Sequence, residues 1–109
     1  MDILQVVAEP RRREILYLVW NGERTAGDIA RQLDVSFSAV SQHLGILHDA
    51  GVVQVRRAGK QRYYRTDLAG LGTLKDVLEN MWSQQLDRLA VLAAQLDEAG
   101  GKVDDETAG

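Results

Sequence analysis

Along this chain apolar residues recur at steps of three and four, giving way to β-branched and alternating stretches only near the middle. At ~100° per residue such steps gather side chains on one face of a helix. Residues 2–8 bring Ile3, Leu4 and Val7 together in a short first helix. Pro10 suits the first turn of the next, where the N–H it lacks would have no partner. Ile15, Leu16, Leu18, Val19 and Trp20 carry that second helix to about Asn21-Gly22. Thr25 can cap a third, over 26–33, whose Ile29, Ala30 and Leu33 turn inward. Ser36 opens a fourth, since its hydroxyl can accept from a free backbone N–H. Gly51 closes it, a residue type suited to a left-handed C′ position. On this fourth helix Val40, Leu44 and Leu47 make the apolar side, flanked by Phe37, His43 and Ala50. Ser38, Ser41, Gln42, Gly45 and Asp49 lie opposite.

After Gly51 the pattern changes. Val52-Val53-Gln54-Val55 and Gln61-Arg62-Tyr63-Tyr64-Arg65-Thr66 read as strands. Ala58-Gly59-Lys60 supplies the turn between them. A two-stranded ribbon alone is marginal, so it must lean on the helices. From Leu68 to about Glu98 the steps of three and four return through Leu71, Leu74, Leu78, Met81/Trp82, Leu86, Leu89, Leu92/Ala93 and Leu96. The last helix so predicted is too long for so small a domain to cover. Its surplus stripe calls for a partner, most economically an identical chain about a two-fold axis. One folded domain is therefore expected over residues 1–98, followed by a mobile acidic tail over 99–109, AGGKVDDETAG.

Charge alters the picture more than composition does. Of 109 residues, 45% are hydrophobic and 27% charged, an ordinary soluble balance without a long apolar run or a leader pattern. The absence of cysteine excludes disulfides, thiol catalysis and thiolate metal sites, and the default location is the cytoplasm. The formal net charge is −3. Residues 50–66 nevertheless hold Arg56, Arg57, Lys60, Arg62 and Arg65 and no acid, a local +5, which leaves −8 on the rest. Charge sorted in this way is the footprint of a polyanion-binding surface.

The fourth helix gains meaning beside that ribbon. Two short helices separated by three or four residues make a helix-turn-helix candidate. Serine and glutamine on its outer face make base-edge and phosphate contacts without the repulsion of a carboxylate. A basic hairpin directly after it is a wing, gripping phosphates or the minor groove beside the helix. Charges on such a ribbon also serve simply to protect its edges. Arg11, Arg12 and Arg13 are candidates for phosphate contact, or for pairing with acids such as Glu9 and Glu14 or with another subunit. The expected architecture is mainly α with a small β-hairpin, in the order α-α-α-α-β-β-α: a winged helix-turn-helix.

The order of elements and the local words resemble the ArsR family of winged-helix repressors. The carrying residues are Glu9-Pro10-Arg11-Arg12-Arg13-Glu14-Ile15-Leu16, Thr25-Ala26-Gly27-Asp28-Ile29-Ala30, Ser36-Phe37-Ser38-Ala39-Val40-Ser41-Gln42-His43-Leu44, Leu47-His48-Asp49-Ala50-Gly51-Val52-Val53 and Gly59-Lys60-Gln61-Arg62-Tyr63-Tyr64-Arg65. The resemblance implies a homodimer that binds an imperfect palindrome in double-stranded DNA, with first and last helices forming its interface. For this chain that interface would use Leu4, Val7, Leu74, Leu78, Met81, Trp82, Leu86 and Leu89. Recognition-helix contacts would fall to Ser36, Phe37, Ser38, Ser41, Gln42 and Gly45, and wing contacts to Arg56, Arg57, Lys60 and Arg62.

Departures from the family pattern narrow the reading. Metal-sensing members use cysteines before the turn, where this chain has Thr25 and Gly27, or histidines and carboxylates on the last helix, yet no histidine follows His48. His43 and His48 stand five apart and point to different sides, so they cannot chelate one ion within a subunit. No metal and no cofactor is expected, and the resemblance is to the metal-independent branch. Phe37 can meet a thymine methyl or plug the core, and Gly45 stands where relatives often carry Lys or Arg. Trp20, Met81 and Trp82 either line a subunit-interface pocket for an apolar inducer or pack the dimer. A winged-helix protein-interaction module without DNA readout is the alternative class. An enzyme is not expected, because no nucleophile–base pair, paired carboxylate or phosphate-binding glycine loop occurs.

Overall fold

In a computed structural model of the chain, residues 2–96 are described in full and 97–108 by their backbone alone. The acidic tail expected over 99–109 thus lies outside the fully described residues. The chain divides into two compact units, one ending at Gly72 and one starting at Thr73.

The first unit contains helices α1 (Ile3–Ala8), α2 (Pro10–Leu18), α3 (Ala26–Leu33) and α4 (Phe37–Asp49), strands β1 (Val53–Ala58) and β2 (Gln61–Thr66), and a one-turn helix α5 (Leu68–Leu71). Each of the first four helices starts on a side-chain cap. Asp2 and Gln5 form a reciprocal capping box, Glu9 caps α2 and precedes Pro10, and Thr25 and Ser36 accept from Asp28 and Ala39 N–H. Gly51 takes φ +78°, as a C′ residue must. The second helix stops sooner than its apolar rhythm predicts. Val19 leaves the helical conformation, and its carbonyl accepts from Thr66 N–H of β2 instead. The core collects Ile15, Leu16, Ile29, Val40, Leu44, Leu47 and Val52, all fully buried. Burial at about 1.5–3 kcal/mol for each such side chain fixes α4 with its opposite face outward.

The hairpin is anchored at its base. β1 and β2 pair antiparallel in register from Val53–Thr66 to Ala58–Gln61, closed by a turn at Gly59-Lys60. Arg24, just before α3, exchanges two backbone hydrogen bonds with Tyr64 (3.1 and 2.9 Å), so β2 has a second neighbour. The Thr66 hydroxyl donates to the Leu16 carbonyl in the interior. These ties supply the support that a two-stranded ribbon needs.

The single helix expected from Leu68 is two. Asp67 caps α5, Gly72 ends it at φ +57°, and α6 (Leu74–Ala108) starts afresh in the second unit. Gly70 has a packing reason: a Cβ there would fall 1.9 Å from the Gly51 carbonyl oxygen. Along α6, Val77, Leu86, Leu89, Val91, Leu92 and Leu96 are exposed. Among the described residues no helix is long and apolar enough to cross a membrane.

Candidate nucleic-acid interface

Helix α4 turns every residue expected to face DNA toward solvent. Ser36, Phe37, Ser38, Ser41, Gln42 and Gly45 are exposed, while Val40, Leu44 and Leu47 are covered. Phe37, 61% exposed, is therefore not a core plug. The Ser36 hydroxyl is partly committed, since its oxygen accepts from Ala39 N–H at 3.0 Å. A groove of about 680 Å³ separates the start of α4 from the ribbon, lined in part by Arg31, Phe37, Ser41, Lys60, Arg62 and Tyr63. A second cleft, of about 490 Å³, lies between the C-terminal half of α4 and the ribbon.

The ribbon sorts its cations by strand alternation. Arg57 and Arg62 are cross-strand partners on the face that also carries Val55 and Tyr64, and both line the second cleft. Arg56 and its partner Tyr63 point to the other face. There Arg56 donates to both oxygens of Glu23 (2.9–3.1 Å), with its guanidinium 4.7 Å from the Tyr63 ring centroid. The hydrogen bond from Arg56 holds the Glu23 carboxyl below its ordinary range. Arg56, expected on the DNA backbone, is thus occupied by an acid. Periodicity gave no sign of Glu23, because it lies in a loop 33 residues away. Arg57, Lys60 and Arg62 keep exposed side chains on or beside the clefts.

The three arginines at the start of α2 divide differently from the phosphate contacts considered for them. Arg11 pairs with Glu14 at 3.0 Å. Arg12 is buried and donates to the carbonyls of Val6 (2.7 Å) and Gln5 (3.3 Å), while Arg13 donates to those of Val7 and Ala8. Both satisfy carbonyls at the end of α1 that a helix leaves without intrahelical partners. Glu9 sits at the same junction. Partial burial would raise its pKa, but the backbone N–H groups of Arg12 and Arg11, with the charges of His43 and Arg12, hold it below the ordinary value. His43 Nδ1 is buried without a hydrogen bond, 3.9 Å from Glu9 Oε2. His48 is exposed and lines the second cleft, so the two histidines face different elements. Among the described residues no group of three or more His, Cys, Asp or Glu could hold a metal ion.

The residues expected at a dimer interface divide by exposure. Leu4, Leu86 and Leu89 are exposed, and Leu74, Met81 and Trp82 are half-buried. Val7 and Leu78 are already buried in the single chain and have little surface to give a partner. Trp20 is also buried.

Comparison with known proteins agrees with this geometry. The family model of bacterial regulatory proteins of the arsR family matches residues 9–55, from the cap of α2 into β1. The HTH-type transcriptional regulator Rv2034 of Mycobacterium tuberculosis is 40% identical over 88 residues, covering 81% of this chain and 82% of its own length. The transcriptional repressor SdpR of Bacillus subtilis is 40% identical over 63 residues, 58% of this chain and 70% of its own. Among solved structures, a homodimeric winged helix-turn-helix DNA-binding domain from Mycobacterium bovis superposes with a TM-score of 0.64 at 29% identity, covering 75% of this chain and 76% of that one. A family model lying across the two helices and their turn, and a relative matched over most of both chains, lead to one assignment: the chain belongs to the arsR family of bacterial regulatory proteins.

Proposed function

We propose that this regulator is a cytoplasmic homodimeric repressor that reads a palindromic site in double-stranded DNA. The observation that carries the proposal is the outward face of α4, where Ser38, Ser41, Gln42 and Gly45 stand exposed beside a ribbon bearing Arg57, Lys60 and Arg62. Ser38, Ser41 and Gln42 would meet base edges in the major groove, with Phe37 against a thymine methyl. Ser36 would contact a phosphate beside its capping role. Arg57, Lys60 and Arg62 would neutralise phosphates or enter the minor groove, and that attraction is salt-dependent.

Dimerisation is supported by the exposed apolar residues of α6, including Leu86 and Leu89 at 54% and 59% exposure, and by the homodimeric Mycobacterium bovis domain. Two-fold symmetry would set two α4 helices about one turn of the duplex apart. Repression is the direction named for SdpR, and a dimer seated over a promoter would block it by occupancy.

The test begins with selection of duplexes from a random pool by the wild-type protein, followed by titration with variants. Gln42→Ala should flatten the preference among related sequences. Lys60→Ala should weaken all sequences alike and make the log–log salt dependence shallower by ~1 for each phosphate no longer neutralised. Equal behaviour of the two variants would defeat this division of labour. Sedimentation of Leu86→Glu with Leu89→Glu should give a monomer that no longer binds DNA tightly.

A further inference from the structure

Two like charges placed opposite each other on antiparallel strands repel, and a fold normally avoids the arrangement. Arg57 and Arg62 are such a pair. Their cleft is lined besides by Ser41, Gly45, His48, Val55 and Tyr64 and by the side of Leu44, with no carboxylate among these residues. The contrast with Arg56, one residue away on the opposite face, is sharp: that guanidinium has its own acid in Glu23. Cationic groups and two hydroxyls thus converge on one space from which acids are missing. Gly45 stands at the same cleft on an exposed stretch of helix, and a Cβ added there would meet nothing within 4 Å. The protein itself does not require a glycine at that position.

We infer that this cleft is a phosphate site, and that His48 completes it by binding, in its protonated form, a DNA backbone phosphate held between Arg57 and Arg62. The inference rests on the DNA-binding reading above and adds to it a residue and a regulation. The N-terminal residues of a recognition helix meet base edges. His48 lies near the C-terminal end of α4, beside the wing, where the duplex backbone would pass. Histidine is the side chain whose charge changes between pH 5 and 8. The charged and titratable groups facing His48 are Arg57 from β1 and Arg62 and Tyr64 from β2. The neighbouring acid on its own helix, Asp49, lines a different depression with Val6, Ile46 and Ala50. A phosphate held between the two arginines favours the charged form of a side chain placed beside it. DNA binding should therefore take up a proton at His48 in each subunit. Operator affinity would then fall as the pH rises through the neutral range.

The experiment uses the full chain and a duplex of about 30 base pairs, long enough for two half-sites, selected from a random pool by the wild-type protein. Affinity is measured at pH 6 and pH 8 across a salt series. The wild type should bind about tenfold or more tightly at pH 6, the scale of a charged hydrogen bond gained. His48→Gln should bind at both pH values as the wild type does at pH 8. Its salt dependence at pH 6 should be shallower than that of the wild type, because the phosphate in each half-site keeps Arg57 and Arg62 but loses its third cation. His48→Arg should bind tightly at both pH values, because its cation does not titrate. If no duplex is enriched from the pool, the DNA-binding reading itself fails. If a duplex is enriched but His48→Gln keeps the wild-type pH dependence, or the wild type shows none, the phosphate site at His48 is overturned while DNA binding stands. Weak binding by His48→Arg at both pH values would overturn it equally.

Discussion

Replacing Gly45 with alanine should make the protein more stable and a weaker DNA binder. Gly45 lies inside the 13-residue helix α4, away from both caps. A glycine in a helix interior is about 0.8–1 kcal/mol less favourable than alanine, because it surrenders more backbone freedom on folding. Three further effects could alter that figure, and none does so here. A Cβ would meet no atom within 4 Å, so there is no clash to subtract. The position is exposed, so little apolar burial is added. Its φ is not in the left-handed region, so alanine takes the existing backbone without strain. The whole of about 1 kcal/mol should therefore appear as stability. In urea denaturation at a fixed protein concentration the midpoint should rise with the slope unchanged. In thermal melts the gain should be about 4–8 °C for a domain near 100 residues. The same methyl group projects from the face proposed to meet DNA. Inserting it into a closely packed interface costs about 1–3 kcal/mol, so affinity for a selected duplex should fall roughly 5- to 150-fold. A variant less stable than wild type would refute the reading of the helix. A more stable variant with unchanged DNA affinity would refute close approach of the duplex at Gly45.

Further predictions follow the pairing of the charged groups. Arg57→Ala and Arg62→Ala should each flatten the salt dependence of DNA binding, and the double variant by about 1 per subunit, whereas Arg56→Ala should leave it nearly unchanged, as filter-binding titrations across salt would show. Arg12→Met should cost about 1–3 kcal/mol in urea denaturation, because the Val6 carbonyl loses its buried donor; Arg11→Met, whose partner Glu14 is exposed, should cost less than about 1 kcal/mol. Glu9, Glu23 and Asp28 all have carboxyls held below their ordinary values, Asp28 chiefly by its hydrogen bond from Arg24. A lowered folded-state pKa gives stability that is complete above the unfolded value and lost as pH falls through the folded one. Urea midpoints should therefore be flat above the ordinary values, 4.5 for glutamate and 3.8 for aspartate, and decline below them.

How far the chain can be read from its letters depends on whether a local rule decides each element. Thr25, Ser36 and Gly51 act within a few residues of themselves, and the bounds of α3 and α4 followed from them. The outward face of α4 was legible for the same reason, since the apolar stripe of Val40, Leu44 and Leu47 leaves only one other side. The break before α6 was hidden because Leu68, Leu71, Leu74 and Leu78 keep steps of three and four straight across Gly72. Periodicity registers spacing and is blind to a backbone that turns left-handed between two in-phase segments. Arg12 was hidden by its charge: charged residues are rarely buried, and only the fold reveals carbonyls at the end of α1 placed to receive it. The pairing of Arg24 with Tyr64 lies beyond any local rule, because the two meet only after the hairpin has docked.

The wing shows where a count of charges stops being informative. Five cations within residues 50–66 have equal standing in the sequence. Once β1 and β2 are in register, side chains alternate between two faces, so a one-residue step separates Arg56 from Arg57 by the thickness of the ribbon. On one face Arg56 meets Glu23 and the Tyr63 ring, and its charge is spent in holding the hairpin to the loop before α3. On the other Arg57 opposes Arg62 across the strands, facing α4. The same register thus gives one arginine an acid of its own and leaves a neighbouring pair for the proposed phosphate. Shifting it by a single residue would exchange the two groups, aiming Arg56 at the cleft and turning Arg57 outward. The ties at Arg24–Tyr64 and Thr66–Leu16, which pin that register at the base, therefore matter to DNA binding although neither need touch the duplex.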